Sequence, residues 1–314
     1  MSTQLFVNQY NWQVFLNKNA MRTRSVDYWQ NIENGLTAAN ITFECHYAST
    51  FEEDIASIQA CYRKGHRHFI VVGGDGTLNF FIDALMNTGV EIKDVYLALI
   101  PLGTGNDWAR SHHYPSTIDE VLKMFLRGRF IPHDVGRVEI STPKEKKIRH
   151  FINIAGFGFD AEVIQNTKSK SARFLENYVY IVTLLKTLFS YKSKKVHFEI
   201  DDVEFVRDLF TIAVGLNQFN GNGMRQCPNA QCNSGFFDVV VIQKVGFFKV
   251  LRNVGRLFKG THVGCMKEVE NWQAKRVRMV SSSKFLGEVE GEMLPQGDYT
   301  LTNLPQTIYV LSEL

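Results

Sequence analysis

Phe69-Ile-Val-Val-Gly-Gly-Asp-Gly-Thr-Leu-Asn79 runs an apolar stretch straight into Gly73, Gly74 and Gly76, and from there into a helical pattern. A short, wholly apolar strand is suited to burial on both faces, the situation of a parallel sheet covered by helices. The glycines let backbone come close to a ligand with no Cβ in the way. A helix starting there aims free N–H groups and the positive end of its dipole at an anion. The stretch is therefore predicted to be strand, phosphate loop (Gly73 to Thr77) and helix. Asp75 is placed to hold a hydrated magnesium ion or to orient an attacking hydroxyl; Thr77 is placed to cap the helix or touch phosphate. The same residues would also suit a plain strand-to-helix turn, with Asp75 in an Asx-turn.

A second apolar run, Val95-Tyr-Leu-Ala-Leu-Ile100, ends in Pro101-Leu-Gly-Thr-Gly-Asn-Asp107. Two glycine loops at the carboxyl ends of neighbouring strands are expected to converge on one crevice, where ligands of open α/β sheets bind. Neither loop carries the lysine of a Walker A motif, and neither is Gly-x-Gly-x-x-Gly. Phosphate charge would then be met by magnesium, by backbone N–H groups and by Arg or Lys from the other domain.

Working outward, residues 1–133 alternate strand and helix signals. Strands are predicted at Leu5–Asn8, Ile41–Tyr47, His68–Val72 and Val95–Ile100, and helices at Val26–Ala39, Phe51–Tyr62 and Leu78–Met86. This is a parallel α/β domain, resembling no simple repeat. From residue 134 to 314 strand-like runs dominate, at Arg149–Ala155, Lys195–Ile200, Leu209–Leu216, Phe236–Ile242, Arg276–Val280, Phe285–Val289, Tyr299–Leu301 and Thr307–Leu311. Helical inserts are predicted near Ala172–Tyr191 and Phe247–Lys259. The second domain therefore reads as β-rich, a sandwich or open barrel, with Pro132 at the transition and Pro143–His150 a solvated hairpin or loop.

Composition bounds the function. With 314 residues, 45% hydrophobic and 21% charged, the chain is folded rather than disordered. No uncharged apolar run approaches the ~20 residues of a membrane span, and Met1-Ser-Thr-Gln-Leu-Phe-Val has no basic-then-apolar signal pattern; a cytoplasmic protein is expected. The net charge of +3 is too small for a nucleic-acid footprint. Five cysteines read as reduced thiols, and no ligand-spaced partner makes Cys227 and Cys232 a zinc site.

The two loops, taken together, resemble those of the diacylglycerol-kinase catalytic family, the lipid kinases that include sphingosine kinases and bacterial YegS-like enzymes. The likeness continues at Asn153-Ile-Ala-Gly-Phe-Gly-Phe-Asp160, at Gly221-Asn-Gly-Met-Arg-Gln-Cys-Pro-Asn-Ala230 and at Gly287-Glu-Val-Glu-Gly-Glu292. It implies a first domain of NAD kinase and phosphofructokinase type that holds ATP and Mg2+, and a sandwich-like second domain for a lipid substrate. Carried over, the phosphate loop is Gly73, Gly74, Asp75, Gly76, Thr77, Leu78 and Asn79, and the second loop Gly103, Thr104, Gly105, Asn106 and Asp107. The proton acceptor, the Glu of the family's Asp-Gly-Glu, is Glu292. An Asn after the first strand is matched to Asn8, and a Thr after the second to Thr50 or Ser49.

Two departures stand out. The Asp of Asp-Gly-Glu is Glu290 here. The family's second-domain magnesium ligands fall on Gln231, Ser234 and Phe236, which leaves that site without its carboxylate. The reaction implied is ATP-dependent phosphorylation of a lipid hydroxyl, with NAD kinase as rival and a weakly catalytic nucleotide- or lipid-binding regulator as the non-enzyme alternative. The partner is a lipid met peripherally at the inner face of a membrane. Phe247–Gly260 is basic along one helical face and apolar along another, with Lys168–Phe174 a comparable alternative. The expectation here is an ordinary surface helix, its apolar side packed on the β-rich domain.

Overall fold

The computed structural model describes residues 3–16, 27–47, 50–103, 105–168, 184–280 and 285–314. Its strands are β1 (Thr3–Gln4), β2 (Asn11–Leu16), β3 (Thr42–His46), β4 (His68–Gly73), β5 (Tyr96–Pro101), β6 (Arg129–Ser141), β7 (Lys146–Phe151) and β8 (Ile154–Gly158). They continue with β9 (Lys194–Ile200), β10 (Val203–Gly215), β11 (Phe237–Gln243), β12 (Val269–Ala274), β13 (Arg276–Val280), β14 (Gly287–Val289), β15 (Glu292–Met293) and β16 (Asp298–Leu311). The helices are α1 (Asp27–Ala38), α2 (Phe51–Arg63), α3 (Asp75–Met86), α4 (Asp107–Ser111), α5 (Ile118–Arg127), α6 (Phe159–Lys168) and α7 (Phe247–Lys259), and residues 184–190 are also helical. Two compact units result: Met1–Val135 with Gly221–Gly223 and Leu304–Leu314, and Gly136–Asn220 with Met224–Asn303.

The first unit is a parallel sheet in the order β3-β2-β4-β5-β16, each neighbouring pair parallel. Its central strands are apolar throughout and buried: Phe69, Ile70, Val71 and Val72 on β4, and Leu97, Ala98, Leu99 and Ile100 on β5. One face packs Ile70, Val72, Ala98 and Ile100 against Val121, Met124 and Phe125 of α5. The last strand is fastened by buried polar contacts: His112 Nδ1 lies 3.1 Å from Ser312 Oγ, and Gln306 N donates to Asp134 at 2.8 Å.

The second unit is antiparallel. β10 pairs with β9 along Val203–Leu209, and then, along Thr211–Gly215, lies between β8 and β11. β13 joins β9 to the Tyr299–Thr302 part of β16. Phe151, Phe157, Phe198, Phe237 and Tyr299 fill the resulting core. Truncating a fully buried ring such as Phe157 to alanine would cost about 3–5 kcal/mol. This is an α/β first unit followed by a β-rich sandwich, as the strand and helix signals predicted.

Several elements differ from expectation. Leu5–Asn8 is not a strand: Val7–Gln9 forms a 3-10 turn, and the first strand of the parallel sheet is β2. Arg149–Ala155 is split at Ile152-Asn153 into β7 and β8, and the two predicted C-terminal strands are one, β16. Pro143–His150 is the β6–β7 hairpin, its turn closed by Thr142 N donating to Glu145 O at 3.0 Å. Pro132 lies inside β6, and the first compact unit runs three residues further, to Val135. Of the predicted helix Ala172–Tyr191, the part before residue 184 lies outside the described residues. All five cysteines are free. Among the described residues, no helix is long and apolar enough to cross a membrane.

Candidate active site

β4 and β5 end in register, Gly73 opposite Pro101, and Leu102 N donates to Gly73 O at 2.8 Å. That pairing delivers both glycine loops to one place. A Cβ on Gly74 would sit 2.9 Å from the Cα of Gly103, so the two backbones touch only because both residues are glycine. A Cβ on Gly73 would meet Thr77, whereas one on Gly76 would stand in open space. α3 starts here, with Gly74 at its N-cap and no side chain capping it. The N–H-bearing end of a three-turn helix is thus presented beside the second loop, as an anion requires.

The carboxylate of Asp75 is half-buried between the loops. Its Oδ2 accepts from Asp107 N at 3.0 Å and its Oδ1 from Trp108 N at 3.1 Å, so it caps α4. Asp107 takes two backbone donors of its own, Asn222 N and Gly223 N, both at 2.7 Å. Burial raises the pKa of both acids; for Asp107 the charge of Asp75 adds to the rise, and in both the backbone donors and Arg110 oppose it. A Cβ at Gly105 would lie 3.7 Å from Asp75 Oδ2 and 3.8 Å from Asp107 Oδ2, so the two carboxylates converge around that glycine.

Asn106 shapes the second loop. It adopts a left-handed conformation (φ 48°) at the α4 N-cap and donates from Nδ2 to Gly103 O at 2.8 Å. Thr104 lies outside the described residues. Leu78 and Asn79, expected to contact a ligand, instead turn into the unit: both are buried on the inner face of α3, where the helical period carries them.

Three further expectations concern Asn8, Thr50 and the Gln231 turn. Asn8 does not follow the first sheet strand; it is exposed on the 3-10 turn ahead of β2, at the opposite end from the loops' strand termini. Thr50 caps α2, accepting from Glu53 N at 3.2 Å; Thr50-Phe-Glu-Glu53 is a helix-start pattern that the residues announce by themselves. Gln231, Ser234 and Phe236 do come together on one turn, Ser234 N donating to Gln231 O at 3.1 Å. Yet Ser234 Oγ already bonds Phe236 O at 3.1 Å, and the next carboxylate along, Asp238, is buried and occupied by Asn229 N, Asn271 and Gln273. That donor set does not fit magnesium.

Glu292 is exposed at the start of β15, in the second unit. The turn before it, Glu290-Gly291, has φ values of 51° and 81° and joins the directly paired Val289 and Glu292. Such two-residue turns favour Asp-Gly or Asn-Gly. Glu290 fits because its longer side chain reaches back, Oε1 accepting from Asn153 N at 2.6 Å.

The sequence reading missed Arg110. Its guanidinium donates to Gly105 O at 3.4 Å and lies 3.5 Å from Asp107 Oδ1. The signal was there, a cation three residues after an acid on one helix. The docking of Asn222 and Gly223 on Asp107 had no local signal at all.

Two family models cover most of the chain. Residues 11–138 match the diacylglycerol kinase catalytic domain, and residues 153–312 match the YegS C-terminal NAD kinase beta sandwich-like domain. The chain belongs to the diacylglycerol kinase and YegS-like family. It is a lipid kinase, a phosphotransferase. Among this family's members, the "Diacylglycerol kinase" of Staphylococcus carnosus (strain TM300) is 26% identical over 270 residues, 85% of this chain and 84% of that one. The "Probable lipid kinase YegS-like" of Alcanivorax borkumensis is 30% identical over 223 residues, 71% of this chain and 68% of that one. A crystal structure of a diacylglycerol kinase from Bacillus anthracis str. Sterne superposes with a TM-score of 0.70 at 19% identity, covering 96% of this chain and 97% of that one. The last likeness is one of fold.

Proposed function

We propose that this lipid kinase transfers the γ-phosphoryl group of ATP to the hydroxyl of diacylglycerol, a sphingoid base or phosphatidylglycerol, at the inner face of a membrane. Residues 1–133 would bind the nucleotide and residues 134–314 the lipid. The observation that carries the reading is the contact of Gly74 with Gly103 at an uncapped helix start, flanked by two carboxylates. Backbone N–H groups of Gly74 to Thr77 and of the second loop would cradle the phosphates. Asp75 and Asp107, each taken up by two backbone donors, would hold the two loops in place around the phosphates; Mg2+ carried by the nucleotide would screen the triphosphate.

The remaining chemistry falls to the acceptor. As the lipid oxygen bonds to the γ-phosphorus, the bond to the β-phosphate oxygen breaks and ADP leaves. The hydroxyl proton passes to the carboxylate of Glu292 and from there to water. Glu290, by holding the turn, would position Glu292.

The test is label transfer from γ-labelled ATP, with Mg2+, to a panel of lipids in mixed micelles, NAD serving as a soluble comparator. Lipid labelling that falls about 10²–10⁴-fold in a folded Glu292→Gln variant supports the assignment. Labelled NAD would make the chain an NAD kinase, and ATP binding without transfer a regulator.

A further inference from the structure

We infer that α7 is a membrane-docking helix that lays its outward face on a bilayer rich in anionic headgroups. The inference rests on the lipid-kinase reading for its choice of partner, and on the helix itself for everything else. Phe247-Phe-Lys-Val-Leu-Arg-Asn-Val-Gly-Arg-Leu-Phe-Lys259 contains four cations and no acid. A helix of this pattern was expected to bury its apolar side, and it does so only in part: none of its residues is fully buried.

The orientation explains why. Phe247, Val250 and Leu257 are the half-buried apolar residues, and Phe247 and Val250 pack towards Phe159, Val163, Leu188 and Phe210. These three lie within one arc of the wheel at 100° per residue. Leu251, Phe258 and Phe248 lie in the next arc and Val254 within the first; all four are exposed, Phe248 the most at 84%. Beside that apolar strip runs a cationic one, Arg252, Arg256 and Lys259, all exposed. Among the described residues none of those three forms an ion pair, while Lys249 is engaged by Glu268 at 2.6 Å. Phe189, 78% exposed, extends the apolar strip, its ring meeting that of Phe247 edge-on at 5.6 Å.

An apolar strip and a parallel cationic strip, both turned to solvent, match the two layers of a membrane interface: acyl chains for the first, phosphates for the second. A protein groove would satisfy the apolar strip but would need acids placed opposite three cations. A second copy of this helix would bring cations against cations. Charge complementarity therefore favours the bilayer.

The experiment is flotation of the full chain with vesicles of phosphatidylcholine alone or with phosphatidylglycerol. Binding is expected to be strong only with the anionic lipid and to weaken with salt. The triple variant Arg252→Gln/Arg256→Gln/Lys259→Gln is expected to bind anionic vesicles about 100-fold more weakly, roughly fivefold per charge. Phe248→Ser/Phe258→Ser is expected to lose at least about tenfold through its apolar contribution. Both variants should phosphorylate micelle-dispersed lipid as the parent does, since neither touches the glycine loops or Glu292. Parental flotation by both variants, or no flotation of a parent that phosphorylates micellar lipid, overturns the docking and leaves the kinase standing. Charge-dependent flotation by a protein that phosphorylates no lipid keeps the docking and removes the kinase. Self-association abolished by Phe248→Ser, without flotation, would assign the face to a second copy.

Discussion

Asp75 holds Asp107 by its backbone: the carboxylate of one receives the N–H of the other at 3.0 Å, and that of Trp108 at 3.1 Å. The acid of the first glycine loop is thus the cap of the helix that ends the second. Asp75→Asn keeps one accepting oxygen and turns the other into a donor that faces an N–H group. A loss of about 1 kcal/mol in stability is expected. Turnover is expected to fall by at least about 100-fold. Thermal melts alongside label transfer check both; full turnover in the variant would leave Asp75 a purely structural cap.

The two glycines on either side of Asp75 should part company. Gly74→Ala sets a methyl group 2.9 Å from the Gly103 backbone, and neither loop can yield without losing the register of β4 and β5. A destabilisation of about 1–3 kcal/mol is expected. Gly76→Ala meets nothing within 4 Å and should fold at least as well, by up to about 1 kcal/mol. If phosphate sits there, the same methyl group should weaken ATP binding about tenfold or more. Calorimetry would read both effects, and unchanged affinity in Gly76→Ala would move the phosphates elsewhere.

Much of this arrangement is legible along the chain, for identifiable reasons. β4 and β5 are largely apolar runs that lead straight into glycine loops, which marks them as buried strands ending at a site. β2 escaped notice because polar Gln13 lies within it; the structure buries that side chain, which bonds His46 Nε2 at 2.7 Å. Thr50 announced a helix cap that the family likeness recast as a nucleotide contact. Asp107 and Asn222 are 115 positions apart, and hydrogen bonds to backbone N–H groups leave no trace in side-chain identity. The outward face of α7 could not be read from periodicity, because a two-sided pattern says which residues share a face and not which face is covered.

Glu290 offers a test of turn chemistry. Glu290→Ala removes the acceptor at 2.6 Å from the N–H of buried Asn153, for an expected loss of about 1–3 kcal/mol. Glu290→Asp suits the left-handed turn better but shortens the reach, so the two effects should largely offset in stability. Turnover, which depends on where Glu292 stands, should fall more in Glu290→Asp than in Glu290→Gln. Equal turnover in all three variants would separate the turn from the chemistry.

Asp160 provides a pH signature. It is half-buried, and Thr211 Oγ1 and Gln226 Nε2 donate to it at 2.8 and 2.7 Å; desolvation raises its pKa above the ordinary 3.8 despite both donors. The folded state then holds a proton that the unfolded chain releases. Its contribution to stability is fully present below pH 3.8 and is lost as pH rises through the folded value. Asp160→Asn abolishes that titration. The melting temperature of the variant relative to the parent should therefore climb with pH across this window; a difference that does not vary with pH would mean that Asp160 titrates normally.

The parallel sheet takes its last parallel strand, β16, from residues beyond 303, and Asp107 receives its donors from residues 222 and 223. A ribosome making this protein therefore releases the β4 and β5 loops long before the partners that fasten them exist. Until synthesis passes residue 311, β5 presents a bare parallel edge, open to chaperones or to the edge of a neighbouring nascent chain. The commonest route to a failed molecule should be a stalled or truncated translation product rather than an unfolded complete one.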